Sequence, residues 1–400
     1  MTRRRTLLAG ALGAAALTTF GPAAPATAAG PRRGPLILVG GSLADDNTEI
    51  YGEIVRRAGG PAARIGVLTA ASIPPSQDPD AGTPDAINSQ TNGQYYADLL
   101  RSHGAGDAVW IPVDLDRITA ADDPAVAALA AGCTGFFFGG GDQFRYVTTL
   151  LHGDAHTDTL VLAAIRRRHR AGAVIAGSSA GAQIQQAADM VTGGESYEAL
   201  RDGAQPGYFD DPNTSGYWPA GGFGLLTSGL IDTHFSAYGR LGRAVRLAED
   251  TGHDRVYGLD PNTALLVTDP GSSDERSRVL GAGGVNLLDL RDGVRWSHLT
   301  AGFAYHPATR RVRVPHTLRQ LRPGGARTIA DSSDVFGDDV ATALALELAG
   351  SRDGTVVGHT RQQDPRFAVT LAKRPGFTAY TADGHTAAAF CDLAVHIRQV

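Results

Sequence analysis

The stretch AVIAGSSAGAQIQQ, Ala173–Gln186, has the pattern of a buried strand, a glycine-flanked turn and the start of a helix. Gly177, Ser179 and Gly181 match G-x-S-x-G, in which a serine on a sharp strand-to-helix turn exposes its hydroxyl group. Glycines at such a turn relieve crowding because they have no side chain. The stretch therefore predicts either a serine nucleophile at Ser179 or a small-residue turn that lets a helix pack closely on a sheet.

Other short apolar runs bounded by turn residues precede this strand. They are Pro35–Gly41, Arg64–Ser72, Ala108–Asp114 and Gly135–Asp142. Helical patterns lie between the runs, at Thr48–Ala58, Gln94–His103, Pro124–Ala131, Gln143–Leu151 and Thr157–Arg170. Strands that alternate with helices predict an α/β fold with a largely parallel sheet covered by helices on both faces.

The order of elements changes after Ser179. Helical residues continue to about Asp189, and an irregular loop over Gly193–Gly222 is predicted as a lid or a substrate-facing wall. Further strands are predicted in Phe223–Phe235, Arg255–Asp269, Gly284–Leu290, Arg366–Arg374 and Cys391–Val400, and helices in Gly239–Asp250 and Asp338–Gly350.

The first 29 residues have the features of an export signal. Arginines precede an Ala- and Gly-rich apolar run, and APATAAG supplies a small-residue cleavage pattern at Ala26 and Ala28. Paired arginines before Thr6 and two leucines fit a twin-arginine signal. The apolar run is shorter than the ~20 residues that a membrane span needs. We therefore expect a secreted protein without stable membrane insertion, consisting of the signal (1–29), an α/β hydrolytic domain (30–300) and a β-rich extension (301–400) packed on it.

Composition excludes several classes of protein. The 400 residues carry a net charge of −5, which does not favour a nucleic-acid partner. The two cysteines, Cys133 and Cys391, lie in apolar segments, where free thiols or a disulfide are both compatible with the sequence. No cluster has the spacing of a zinc site, and no Gly-Lys-Ser/Thr follows the glycine run at Gly139–Gly141. We therefore predict no metal and no cofactor.

A serine nucleophile needs a base, and His234 is the best-placed histidine because it follows an apolar strand. Arg240 and Arg243 are three residues apart, so on one helix they share a face and could clamp a carboxylate. A solvated arginine face beside a structural histidine fits the pattern equally well. The N–H of Ala180 and the amides of the Gly139–Gly141 turn are candidate oxyanion donors.

Six ordered blocks between about Pro35 and Leu290 resemble the cyanophycinase family of serine peptidases, relatives of the aspartyl dipeptidases. The blocks are VGGSLADD, IGVLTAAS, GFFFGGGDQFRY, AVIAGSSAGA, GLIDTHFSAYGRLGR and YGLDPNTALLV. The resemblance implies a sandwich fold similar to class I glutamine amidotransferases. It also implies hydrolysis of cyanophycin, a polyaspartate whose side chains carry arginine, or of related aspartyl or isoaspartyl peptides.

By the same resemblance, Ser179 is the nucleophile, His234 the general base, and the N–H groups of Gly141 and Ala180 form the oxyanion hole. The substrate pocket would be lined by Gln143, Asp232, Thr233, Tyr238, Arg240 and Arg243, with Asp232 facing a guanidinium and the arginines facing carboxylates. A peptide is the expected partner, and a homodimer is left open.

The sequence departs from the family pattern at three positions. Thr233 replaces a common glutamine, Tyr238 replaces an arginine, and Pro261 stands where the family has the glutamate of the triad. Asp260, or a carboxylate of the long loop at Glu195 or Glu198, is the candidate to orient His234. These departures leave a second hypothesis, a catalytically weakened member that binds Arg/Asp-rich ligands. A glutaminase of the amidotransferase type would need cysteine at position 179.

Overall fold

In the computed structural model, which describes residues 33–322 and 329–400, the apolar runs form strands and the segments between them form helices. The expected export signal, residues 1–29, lies outside the described residues. The strands, in chain order, are β1 (Leu36–Val39), β2 (Arg64–Leu68), β3 (Asp107–Trp110), β4 (Gly135–Phe138), β5 (Leu151–His152), β6 (Thr157–Asp158), β7 (Val174–Ser178), β8 (Met190–Val191), β9 (Gln205–Pro206), β10 (Gly216–Trp218), β11 (Leu230–Thr233), β12 (Arg255–Leu259), β13 (Thr263–Thr268), β14 (Arg276–Gly281), β15 (Gly284–Asp289), β16 (Val294–Thr300), β17 (Ala304–His306), β18 (Arg311–Arg313), β19 (Arg319–Gln320), β20 (Thr355–His359), β21 (Phe367–Thr381) and β22 (Ala389–Gln399).

The α-helices are α1 (Thr48–Ala58), α2 (Ser89–Ser102), α3 (Pro124–Ala131), α4 (Gln143–Leu150), α5 (Leu160–Arg170), α6 (Ala180–Gln183), α7 (Ser196–Asp202), α8 (Leu241–Thr251) and α9 (Val340–Gly350). Local sequence explains why α1 and α3 have the predicted bounds. The side chain of Asn47 accepts the N–H of Ile50, and that of Asp123 accepts the N–H of Ala125. Each cap satisfies a helix N–H that has no partner within the helix.

The first sheet has nine strands and confirms the α/β prediction. Its order is β18-β17-β14-β13-β1-β7-β4-β2-β3. The five strands from β1 to β3 are parallel, and β13, β14, β17 and β18 continue the sheet antiparallel. Because successive side chains of a strand point to opposite faces, Ile37 packs in the core that contains α1 and α2, and Leu38 packs in the core that contains α3 and α5.

The second sheet has eight strands, in the order β11-β12-β15-β16-β22-β21-β19, and β20 pairs with β21. The residues after position 301 therefore contribute β17 and β18 to the first sheet and β19–β22 to the second. Trp296 and Phe390 are fully buried in the core that this sheet shares with α8 and α9.

Several predicted elements have other bounds in the structure: α2 begins at Ser89 instead of Gln94, and α5 begins at Leu160 instead of Thr157. In Phe223–Phe235, only Leu230–Thr233 forms a strand. The helix after Ser179 ends at Gln183 instead of about Asp189. It ends there because the chain turns to meet another segment, where the N–H of Ala187 donates to the carbonyl of Leu226.

Both cysteines are free: Cys133 is buried and Cys391 is half-buried. Within residues 33–322 and 329–400, no helix is both long and apolar enough to cross a membrane. The same residues contain no group of three or more His, Cys, Asp or Glu side chains arranged to hold a metal ion.

Candidate active site

Ser179 lies on a strained turn between β7 and α6. Its backbone has φ 54° and ψ −118°, a positive-φ conformation that non-glycine residues rarely adopt. The flanking glycines are required by space, since a Cβ on Gly177 would lie 2.0 Å from the carbonyl oxygen of Gly181, and one on Gly181 would lie 2.1 Å from that of Phe138. The geometry is that of a nucleophile elbow.

The predicted base, His234, faces Ser179. His234 follows β11, and its Nε2 lies 2.9 Å from the Ser179 Oγ. The His234 N–H donates to the carbonyl of Gly40 at 2.8 Å, and a Cβ on Gly41 would lie 2.2 Å from the imidazole. The glycines after β1 therefore make room for the ring beside the nucleophile. The structure brings Ser179 and His234 together as the sequence predicts.

The glycine turn after β4 contacts the elbow. A Cβ on Gly140 would lie 3.4 Å from the Cβ of Ser179. Gly139 N–H donates to Leu68, and the Tyr146 hydroxyl donates to the carbonyl of Gly139, so the turn is held from both sides. Among the described residues, no acceptor takes the N–H of Gly140 or Gly141. These amides are available to a negatively charged oxygen.

The second predicted oxyanion donor is Ala180. It is the first residue of α6, so its N–H has no acceptor within the helix. It directly follows the nucleophile, as an elbow donor does.

A stack of side chains covers the base. The Tyr238 ring lies parallel to the His234 imidazole, with 4.9 Å between ring centroids. The Arg240 guanidinium lies over the Tyr238 ring, 4.9 Å from its centroid. Tyr238 is 49% exposed, so this stack forms part of the site's surface.

The predicted pocket residue Asp232 faces an internal partner. Arg243 donates to both of its carboxylate oxygens, at 2.8 and 2.6 Å, and to the carbonyl of Gly194 at 2.6 Å. Both side chains are 4% exposed. Asp232 and Arg243 bind each other, so neither the carboxylate nor the Arg243 guanidinium is free for a ligand. The prediction that both side chains contact the substrate directly is therefore wrong for this pair.

Arg240 remains available in part. Its Nη1 donates to the carbonyl of Thr233 at 2.6 Å, while its buried Nε has no hydrogen-bond partner among the described residues. Burial, and then the neighbouring Arg243, lower the pKa of Arg240 to about 10. The same Nη1 also lies 3.5 Å from Asp232 Oδ1, and 15% of the Arg240 side chain is exposed.

Asp260 does not hydrogen-bond to His234. Its carboxylate accepts the N–H of Ser236 at 3.0 Å, the Nδ2 of Asn286 at 2.9 Å and the N–H of Gly284 at 3.2 Å. It therefore supports the turn that follows the histidine instead of orienting the imidazole. Sequence reasoning missed Asn286, whose buried amide also accepts from His298 and Trp296; a lone asparagine in an apolar strand was the available signal.

Two other residues predicted to line the substrate pocket, Gln143 and Thr233, are instead buried. Gln143 is buried, and its Nε2 donates to the carbonyl of Val191 at 2.8 Å. Thr233 is fully buried, and its hydroxyl has no partner among the described residues. Glu195 lies at the start of α7 within electrostatic range of Arg240 and Arg243, and partial burial raises its pKa.

The segment Gly193–Gly222, predicted as an irregular loop, contains α7, β9 and β10, and it forms an aromatic wall beside the glycine turn. Tyr208 stacks on Phe144 with 4.5 Å between ring centroids, and its hydroxyl donates to Asp142 at 2.7 Å. Trp218 meets the same phenylalanine edge-on. The loop therefore contacts the residues that follow the turn.

The electrostatics suit a neutral base. Burial, and then the charge of Arg240, lower the pKa of His234 to about 4, and the nearby Asp232 opposes the shift. At neutral pH the imidazole therefore has an unprotonated nitrogen to accept the serine proton.

Comparison with known sequences finds close relatives. A protein named cyanophycinase from Synechococcus elongatus is 31% identical over 264 residues, which cover 65% of this chain and 69% of that protein. The cyanophycinase of Trichormus variabilis is 30% identical over 259 residues, covering 64% of this chain and 73% of that protein. That of Geminocystis herdmanii is 28% identical over 263 residues, covering 64% and 81%. No protein-family profile matches the chain.

Among solved structures, that of a peptidase from an acI-B1 Actinobacterium aligns with a TM-score of 0.49 at 20% identity, covering 69% of this chain and 98% of that one. The family assignment rests on the sequence relatives, because the alignments with this chain cover more than two thirds of the length of those proteins. The chain belongs to the cyanophycinase family of peptidases.

Proposed function

We propose that this protein is an exported serine peptidase that hydrolyses cyanophycin or a related aspartyl or isoaspartyl peptide. The observation that carries the proposal is the 2.9 Å contact between His234 Nε2 and the Oγ of Ser179, which lies on a strained positive-φ turn. A hydroxyl at this distance from an unprotonated imidazole is activated for attack on a carbonyl.

The reaction follows the usual course of acyl transfer. Ser179 Oγ attacks the scissile carbonyl while His234 takes its proton, and the oxyanion accepts hydrogen bonds from Ala180 and the Gly140–Gly141 turn. His234 then protonates the leaving amine as the carbon–nitrogen bond breaks. Water, deprotonated by the same imidazole, attacks the acyl-enzyme and releases the acid product and Ser179.

The charges around the site fit a zwitterionic substrate. The guanidinium of Arg240, which lies over the exposed Tyr238 ring, is our candidate for a substrate carboxylate. Asp232 is already paired with Arg243, so Glu195 is our candidate for a substrate guanidinium. This arrangement suits a peptide whose side chains carry both groups.

The test is product release from insoluble cyanophycin and from a panel of β-aspartyl dipeptides, followed by mass spectrometry. We expect β-Asp-Arg from the polymer, and Ser179→Ala should lower the rate by at least about 10⁴-fold. Absence of product from the whole panel would contradict the peptidase proposal.

A weakened binder is the second candidate. It is favoured by Pro261, which stands where the family resemblance expects a glutamate, and by the engagement of Asp260 with Ser236 and Asn286. A fluorophosphonate probe separates the two candidates: labelling that disappears in Ser179→Ala supports the peptidase, and folded protein that is never labelled supports the binder.

Export is tested separately. Arg4→Lys with Arg5→Lys should retain the protein in the cytoplasm if the twin-arginine route is used. The secreted protein should begin near Gly30 on N-terminal sequencing, and an unprocessed chain in the medium would contradict a cleaved signal.

A further inference from the structure

A wide basic groove lies at the edge of the nine-stranded sheet. Its volume is about 1000 Å³, and it is bounded by the last turn of α1 and by β13, β14, β17 and β18. Six arginines line it: Arg56, Arg57, Arg276, Arg278, Arg311 and Arg313. Glu53 is the single acidic residue among the described residues of the lining. This concentration of positive charge stands out in a chain whose net charge is −5.

The pairing register puts the strand arginines on one face. Arg313 lies opposite Ala304, Ala304 opposite Arg278, and Arg278 opposite Leu266. In the next row, Arg311 lies opposite His306, and Arg276 lies opposite Thr268. Neighbouring strands are about 4.8 Å apart, and alternate residues on a strand are about 6.7 Å apart, so the guanidinium groups form a regular array.

Most of this charge is uncompensated. Glu53 pairs with Arg56 and Arg57, both on its own helix. Arg278, Arg311 and Arg313 are exposed, and none of them forms an ion pair with another of the described residues. Like charges held this close repel one another, so the array gains stability when an anion enters it.

The groove is separate from the catalytic site. Ser179 follows the carboxyl end of β7, where Ser178 lies beside Val39 of β1. Strand β13 runs antiparallel to β1, so Val267 lies opposite Leu36 at the other end, and Thr268 lies just beyond. A ligand in the groove would therefore bind at the amino ends of the parallel strands, away from the serine.

The open edge of β18 favours a polypeptide as the occupant. This strand is the last of the sheet and pairs with β17 alone among the described strands. An extended chain can add to such an edge through main-chain hydrogen bonds. Its alternate side chains would then match the spacing of Arg311 and Arg313 along the strand.

We propose that this groove is a second binding site, which holds an extended acidic polypeptide with carboxylates at alternate residues. Binding in the groove goes beyond the proposed function and does not depend on it, since no residue of the groove belongs to the catalytic site. The role that we assign to this binding, which is to hold an acidic chain while the active site acts on it, rests on the proposed function.

The test measures binding of a fluorescein-labelled oligo-aspartate by anisotropy, in a Ser179→Ala background so that turnover cannot intervene. The triple variant Arg278→Gln, Arg311→Gln, Arg313→Gln should weaken binding by at least about 10-fold, because charge-assisted hydrogen bonds are lost. A matched control changes the exposed Arg167, Arg170 and Arg352 to Gln on other surfaces and should alter binding less than about 2-fold.

A second variant tests the shape of the groove at constant charge. Ala304→Phe places a ring on the floor between Arg278 and Arg313 and should also weaken binding. Hydrogen exchange of β18 should slow when the oligo-aspartate binds. When the triple variant is made in the protein that keeps Ser179, its rate of dipeptide hydrolysis should equal that of the parent protein.

Several results would overturn the proposal. One is equal weakening by the control triple, which would indicate a general charge effect. Another is no binding of oligo-aspartate by the parent protein at low ionic strength. Tight binding of polyphosphate with no binding of oligo-aspartate would assign the groove to a different class of polymer.

Discussion

The imidazole of His234 and the phenol ring of Tyr238 are stacked in nearly parallel planes, 8° apart, with their centroids 4.9 Å from each other. Among the described residues, no carboxylate hydrogen-bonds to this imidazole. The imidazole instead lies against the Tyr238 ring, close to the backbone of Gly41 and within hydrogen-bond distance of Ser179. We propose that the tyrosine gives the support that the family resemblance assigns to a glutamate.

Removing the stack should slow the reaction. Such ring pairs contribute about 0.5–1.5 kcal/mol, so Tyr238→Ala should lower the rate of fluorophosphonate labelling by about 2- to 10-fold. Tyr238→Phe is the matched control and should react at nearly the parental rate. If the two variants react equally fast, the stack does not position the base.

The pH dependence should reflect a depressed histidine pKa. Since His234 works as a base only when neutral, kcat/KM should stay high down to about pH 5 and fall as the pH drops through about 4. Tyr238→Ala exposes the imidazole to water, so its acid limb should move toward the ordinary histidine value of about 6.5. A parental acid limb near pH 6.5 would contradict the shift.

Substitution of Arg243, within α8, and of Arg240, at its N-cap, should have different effects on stability and on substrate binding. Arg243→Gln removes the two short hydrogen bonds to the buried Asp232 carboxylate and leaves it only the 3.5 Å contact with Arg240, so the free energy of unfolding should fall by about 3–5 kcal/mol. Arg240→Gln should mainly raise KM for carboxylate-bearing substrates, with a smaller loss of stability. Denaturant titration and steady-state kinetics on both variants check this, and equal effects on stability would contradict the distinction.

Asp260 should act through the turn that it supports. Asp260→Ala leaves the N–H groups of Ser236 and Gly284 and the amide of Asn286 without their acceptor, at about 1–3 kcal/mol each. We expect a large loss of thermal stability together with slower labelling of Ser179. Asp260→Asn keeps an acceptor for Ser236 and should recover part of both; a variant that labels slowly but unfolds normally would instead indicate direct catalysis.

The sequence was sufficient for the parallel sheet and the elbow because both depend on local signals. Short apolar runs, capped helices and flanking glycines report on residues close in the chain, and these elements have nearly the predicted bounds. Strand β16 and the antiparallel strands β14, β17 and β18 were missed since their alternating patterns are weak. The C-terminal strands form long pairings whose partners are distant in sequence.

The sequence predicted which residues lie at the site, but it did not predict which of them hydrogen-bond to one another. G-x-S-x-G and the histidine after an apolar strand identified Ser179 and His234. That Asp232 would face Arg243 instead of a ligand depends on how α8 packs against β11, which no spacing reveals. The same holds for Asp260, whose acceptor role depends on a strand that lies 26 residues further along the chain.

Ser179 and His234, the proposed nucleophile and base, come from different sheets. Ser179 follows a strand of the nine-stranded sheet, whereas His234 follows a strand of the eight-stranded sheet, which also contains β22 near the end of the chain. Their separation of 2.9 Å is therefore set by how the two sheets dock. A shift of one sheet relative to the other would separate Ser179 from His234 while both sheets stay folded. We therefore expect activity to be lost more easily than secondary structure. Changes near the C-terminus, in the strands of the second sheet, could abolish the reactivity of Ser179 without altering the serine itself.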